Sequence, residues 1–312
     1  MPYYLSEINR RAATDPRGFI AECDDIYSRR IANAASMIIE NIHRSPIVLL
    51  SGPSGSGKTT TAMKIEEELE RRGVQTHAIS MDNYFRTITP DTMPRTPDGD
   101  YDYESPECMD MDLLNEHFAA LSRGERIYVP KYEFSRHMRI VEPSMSLRLG
   151  KDEIAVFEGI HALNDEITGQ NPDAFKLYIS ARSDVIDSDD SVCFKRTWMR
   201  LVRRTVRDNM FRGADAATTL SMWANVRRGE KLYISPYKNK ADLMFDSSFA
   251  YEVNVMRSIA PPLFRAVPEG AERYEELRSI LPAFERFEAI EPDMLAPDAL
   301  LREFIGGGIY EY

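Results

Sequence analysis

Apolar positions recur at helical spacing over residues 17–43, at Ile20, Ile26, Ile31, Ala34, Ile38 and Ile39. This spacing predicts one or two helices leading into a core. The pattern then changes to an unbroken apolar run, Ile47-Val48-Leu49-Leu50, which suits a strand covered on both faces. Helical spacing resumes from about Lys58 to Arg72, and Val74 to Ser80 reads as a second strand. Pro, Asp and Thr crowd residues 86–108, a loop, and Asp110 to Ser122 is helical again. Met138 to Leu149 alternates around Pro143 and suggests a small hairpin, while Ile154-Ala155-Val156-Phe157 and Phe175 to Ser180 read as buried strands. Val192 to Tyr233 is mostly helical in pattern and rich in Arg. A last short strand is expected at Leu243-Met244-Phe245, then a helix from Phe249 to about Val267 and a helical tail ending in Gly306-Gly307-Gly308. Strands alternating with helices imply an α/β fold with a mostly parallel sheet covered on both faces. The expected organisation is a helical extension over 1–44, a central domain over 45–267 and a helical tail over 268–312.

Composition narrows the class. Hydrophobic residues make up 43% of the chain, enough for a substantial core. The net charge of −11 argues against a long polyanionic partner such as nucleic acid, while small anions held in a local pocket stay open. Cys23, Cys108 and Cys193 are far apart and form no C-x-x-C pair, so neither a metal cluster nor a disulfide framework is expected. Met1 to Asp25 lacks an apolar segment and no stretch approaches membrane-spanning length, so the expected location is the cytoplasm, with no membrane partner. Homo-oligomerisation is left open.

One motif carries specific chemistry. Gly52-Pro53-Ser54-Gly55-Ser56-Gly57-Lys58-Thr59 matches G-x-x-x-x-G-K-[ST], between an apolar strand and a helix. Small residues let backbone N–H groups curl around phosphate oxygens, and the helix N-terminus adds partial positive charge. The expected nucleotide contacts are Gly52, Ser54, Gly55, Ser56, Gly57, Lys58, Thr59 and Thr60. Lys58 reaches the terminal phosphates, and the Thr59 hydroxyl suits a Mg²⁺ ion. Glu158 ends a neighbouring strand, where a carboxylate either holds the metal or caps the next turn. Asp82, after the second strand, either accepts the proton of an attacking hydroxyl or caps a local turn. The expected fold is a three-layer P-loop NTPase with a hairpin insertion, a helical lid and helical extensions at both ends.

Taken together, these segments resemble the uridine kinase family of P-loop nucleoside kinases, over roughly residues 46–266. The resemblance rests on the phosphate loop and on Ser80-Met81-Asp82-Asn83-Tyr84-Phe85, Tyr101-Asp102-Tyr103-Glu104-Ser105-Pro106, Pro130 to Arg139, Phe157-Glu158-Gly159-Ile160 and the Arg-rich stretch Arg200 to Asp208 with Arg212-Gly213. It implies that Asp82 is the general base and that Tyr132, Phe134 and His137 line a base pocket with Phe85 and Tyr103 as aromatic walls. It further implies that Glu104 binds ribose hydroxyls with Arg200 near it, and that Arg203 and Arg207 close over the phosphates. Glu104 stands where better-known members carry Asp, one methylene shorter. The implied reaction is phosphorylation of the 5′-hydroxyl of a uridine- or cytidine-like nucleoside by ATP or GTP with Mg²⁺. The alternatives are a kinase for another small hydroxyl substrate, such as another nucleoside, a sugar phosphate or pantothenate, and a nucleotide-hydrolysing switch or a nucleotide-binding regulator. Asn239-Lys240-Ala241-Asp242 spells a guanine-reading motif, but no apolar strand precedes it, and the match reads as chance.

Overall fold

A computed structural model describes residues 2–87, 89, 91–133 and 136–311. The strands that bear on the site are β1 (Ile47–Ser51), β2 (Gln75–Ser80), β3 (Ile127–Glu133), β4 (Met138–Leu147), β5 (Glu153–Glu158), β6 (Phe175–Ser180) and β7 (Leu243–Asp246). Five of them form one parallel sheet in the order β7-β6-β1-β5-β2. β1 lies at its centre and is buried at every position, as its unbroken apolar run requires.

Alternate side chains of the sheet enter two different cores. Val48, Leu50, Val156 and Leu177 face one apolar cluster, and Ile47, Leu49, Phe157 and Tyr178 face the other. The first cluster is closed by α1 (Leu5–Thr14), α2 (Pro16–Asn41), α3 (Lys58–Arg71), α5 (Arg196–Phe211), α6 (Ala216–Gly229) and α7 (Tyr274–Glu285). α4 (Met111–Ser122) and the β3–β4 hairpin close the second. Leu300, Leu301 and Phe304 of the tail are buried in the first cluster together with residues of α1 and α2, so both termini share the apolar core of the sheet.

Three elements differ from the expected pattern. The hairpin does not lie within residues 138–149. Met138–Leu147 is one continuous strand, and its antiparallel partner is Ile127–Glu133. Pro130 interrupts the alternation of that partner and hides it, and the register shifts between Val129 and Lys131, where a proline removes a ladder donor. The helix expected from Phe249 is split into Glu252–Met256 and Ala260–Arg265, with Pro261 and Pro262 opening the second piece. Val192–Phe194 forms a strand rather than a helix, in a small sheet with Val185–Ile186 and Tyr3–Tyr4. Asn239 and Lys240 sit in a 3-10 turn, Ser235–Lys240, and not after a strand. Among the described residues no helix is long and apolar enough to cross a membrane.

Candidate active site

The chain leaves β1 and must turn sharply into α3. Gly55 (φ 71°) and Gly57 (φ 77°) take left-handed conformations that cost other residues steric strain. A Cβ at Gly52 would lie 2.1 Å from the Ile179 carbonyl oxygen of β6, so the neighbouring strand excludes a side chain there. α3 begins at Lys58, which leaves the amides of its first turn outside the helix's own hydrogen bonds. Ser56 Oγ is a buried hydroxyl with no hydrogen-bond partner among the described residues. An anion's oxygen would satisfy such a group. The loop therefore has the donor set of a phosphate cradle.

Carboxylates from two adjacent strands face this loop. Ser80 and Glu158 are register partners at the ends of β2 and β5. Asp82 follows Ser80, whose hydroxyl oxygen accepts the Asp82 amide (3.3 Å). Met81 and Tyr84 of the resulting turn are buried, which leaves Asp82 directed to the cleft. Lys58 Nζ lies 3.7 Å from Glu158 Oε1. Burial pushes the Glu158 carboxyl up to about 7; the lysine opposes this rise, and the charge of Asp82 adds to it. Asp82 is reached by solvent from the cleft, but the surrounding protein raises its carboxyl too, against the pull of Lys58 and Arg212. Two neighbouring carboxylates and the Thr59 hydroxyl are hard oxygen donors. Mg²⁺ typically takes one or two protein carboxylates and completes its shell with phosphates and water, and these residues fit it.

The acceptor side is built from loops and the hairpin. The rings of Phe85 and Tyr132 lie 5.5 Å apart, tilted by 50°, and those of Tyr103 and His137 lie 6.1 Å apart, tilted by 32°. Tyr132 is nearly buried, whereas Tyr103 and His137 are exposed at the rim. Phe134 lies outside the described residues. The Glu104 chain packs on Gly229, where a Cβ would come within 2.3 Å of Glu104 Cβ. Burial raises the Glu104 carboxyl to about 7; Arg204 and Lys58 oppose the rise, and the charges of Asp102 and Asp82 add to it. Asp82, Glu104, Glu158 and Lys58 thus share one electrostatic neighbourhood.

The arginines are distributed differently from the expectation. Arg203 does not face the cleft. It is fully buried, forms a two-point ion pair with Glu252 and donates to the carbonyls of Ser247 (2.9 Å) and Gly55 (3.4 Å). It braces the loop from beneath, with its guanidinium engaged by Glu252 and two carbonyls. Arg200 is likewise committed: both terminal nitrogens meet Glu230 at 2.9 Å, and Nε donates to Ser54 O at 3.0 Å. Thr60 is also occupied, because its amide and hydroxyl donate to Glu303. Arg207 is held by Asp208 (2.8 Å). Two arginines without an assigned role approach the reacting groups instead. Arg204 donates to Ser54 Oγ (2.8 Å), and Arg212, with its side chain 59% exposed, acts on Asp82 through its charge. The spacing of Arg200, Arg204, Asp208 and Arg212 by four residues carries this signal, since it puts them on one helical face.

The sheet order, the glycine-shaped loop and the carboxylates at its edge define a P-loop kinase fold. The chain belongs to the phosphoribulokinase / uridine kinase family, whose sequence model matches residues 47–253. It is 33% identical over 174 residues to a uridine kinase of Schizosaccharomyces pombe and 30% identical over 202 residues to one of Saccharomyces cerevisiae, matches that take in 56% and 64% of this chain. It spans 34% and 36% of those two relatives, about a third of their length. A uridine kinase of Deinococcus deserti is 29% identical over 204 residues, 65% of this chain and 88% of the relative. Among solved structures, a candidate fructose transport system kinase from Silicibacter sp. TM1040 shares the fold, with a TM-score of 0.51 and 18% identity over 69% of this chain and 98% of that one.

Proposed function

We propose that the protein transfers the terminal phosphoryl group of ATP or GTP, bound with Mg²⁺, to the 5′-hydroxyl of a uridine- or cytidine-like nucleoside. The observation that carries this reading is the convergence of Asp82 and Glu158, from adjacent strand ends, on Lys58 of the phosphate loop. The nucleotide supplies the phosphoryl group, and the metal neutralises charge on it. The loop amides and Lys58 hold the phosphates, and Glu158 with Thr59 holds the metal. Asp82 accepts the hydrogen bond of the attacking hydroxyl, orients its oxygen and takes the proton late, as a loose transition state permits. Its raised carboxyl makes it a better proton acceptor than an ordinary surface aspartate. Glu104 accepts from vicinal ribose hydroxyls, and Tyr103 and His137 offer ring faces to a planar base. Arg204, on the loop at Ser54, and Arg212 add positive charge around the transferred group, while Arg200 and Arg203 support the loop.

A panel of nucleosides and simple sugars, each with ATP and with GTP, tests the reading by phosphorylated product. A nucleoside monophosphate supports it. A sugar phosphate as the sole product, or triphosphate hydrolysis with no acceptor product, overturns it. Asp82→Asn should keep donor binding within about twofold while lowering kcat roughly 10²–10⁴-fold; transfer at the wild-type rate would remove Asp82 as the base.

A further inference from the structure

The tail does more than cover the core. It runs along α3 and is fixed to it at several points. Asp298 pairs with Lys64 (2.6 Å), and the Tyr310 hydroxyl donates to Glu67 (2.9 Å). Leu300 lies over Gly57, where a Cβ would come within 2.8 Å of its Cδ1. Phe304 places its ring 5.2 Å from the guanidinium of Arg203, the residue that braces Gly55. Between these two anchors stands Glu303, buried at 5% exposure. Its Oε2 accepts the Thr60 amide at 3.2 Å and the Thr60 hydroxyl at 2.7 Å. Its charge also acts on Glu158, across the loop.

Thr60 is the third residue of α3, and its amide belongs to the unpaired first turn that makes a phosphate loop. The lysine of such a loop serves the outer phosphates, and the amides cradle the inner ones. A carboxylate on the Thr60 amide therefore stands where an inner phosphate oxygen would sit. Two anions cannot share that donor.

We infer that Glu303 holds the seat of the donor's innermost phosphate and that residues 297–305 cover the nucleoside side of the loop, so that a nucleotide binds only as this segment lifts. Glu303 is then a specificity-determining residue on the donor side. The segment discriminates between donors that reach the inner seat and anions that fill only the outer ones. The inference rests on the loop being the donor site and makes no use of the acceptor.

Calorimetric titration of the full chain tests it, comparing wild type, Glu303→Gln and Glu303→Ala, each with ADP and with pyrophosphate in the presence of Mg²⁺. ADP affinity should rise about tenfold in both variants, while pyrophosphate, which carries no nucleoside and fits the outer seats, should change less than about twofold. Hydrogen exchange on the wild-type chain gives an independent reading: amides of residues 298–305 should exchange faster under saturating ADP. Unchanged or weaker ADP binding in both variants overturns the inference, as does a segment that keeps its protection with ADP bound. In those outcomes Glu303 is a structural anchor of α3. None of these readouts involves an acceptor, so failure of the nucleoside kinase reading and failure of this inference are separately visible.

Discussion

Glu158 is subject to opposing influences. Its position at the end of β5 removes water from the carboxylate and places Asp82 nearby, which favours the protonated form; Lys58 at 3.7 Å favours the charged one. The result is a carboxyl raised to about 7, near the pH of a cell interior. A metal binds only the deprotonated oxygen, so proton and Mg²⁺ compete there. The gain in ADP affinity on adding Mg²⁺ should therefore shrink as pH falls from about 8 to about 6, by up to roughly tenfold for one competing proton. In Glu158→Gln the gain should be small at every pH. Calorimetry with and without Mg²⁺ across this range checks it; an equal gain at both ends of the range would remove Glu158 from the metal site.

At the scale of the element, α5 shows why the Arg-rich helix was only partly legible. Its arginine content is plain in the sequence, and so is its helical pattern. Which arginines meet the site depends on the azimuth at which the helix packs, and a single run of Arg does not set that. The structure turns Arg203 inward to Glu252, a partner separated in sequence and in an element that local periodicity misjudged. It leaves Arg212, at the helix end, within electrostatic reach of Asp82. The phosphate loop and the strand-end carboxylates were readable because their geometry is local: strand, turn and helix follow within a few residues. The hairpin partner β3 was not, because Pro130 breaks its alternation, and the docking of Glu303 on Thr60 was not, because no local pattern links residues so far apart. The two faces of α5 should separate on mutation. Arg203→Ala leaves Glu252 buried and unpaired and should cost about 3–5 kcal/mol of stability. Arg212→Ala removes a largely exposed side chain; its unfolding free energy should stay within about 0.5 kcal/mol while kcat falls. Denaturant unfolding beside transfer assays checks both, and equal loss of stability in the two variants would contradict this division of the helix.

For the whole molecule, an acidic chain has buried several carboxyls without full compensation. Glu66, Glu104 and Glu158 are each raised to about 7, and Asp24 to about 6, with burial the leading cause in all four. The sign of the consequence follows from linkage. A raised carboxyl keeps its proton in the folded state at a pH where the unfolded chain has already lost it, so each additional unit of pH favours unfolding until the folded pKa is passed. Other groups act elsewhere. Glu68, held at about 2 by Arg71 and Arg72, contributes stability that is lost only in stronger acid. His161, pushed down to about 4 by burial, and His117, lowered by the same cause, weaken the fold as pH falls below the usual histidine range. Between pH 6 and 8 the three glutamates near 7 dominate. The ligand-free protein should therefore lose thermal stability as pH rises through that window, with Tm falling by about 2–5 °C. Mg²⁺ and ADP, by giving Glu158 a counter-charge, should reduce the fall, and Glu158→Gln should reduce it without any ligand. Scanning calorimetry at constant ionic strength measures all three; a Tm that rises from pH 6 to 8 in the free protein would mean that these carboxyls are solvated well enough in the fold to titrate as they do in the open chain.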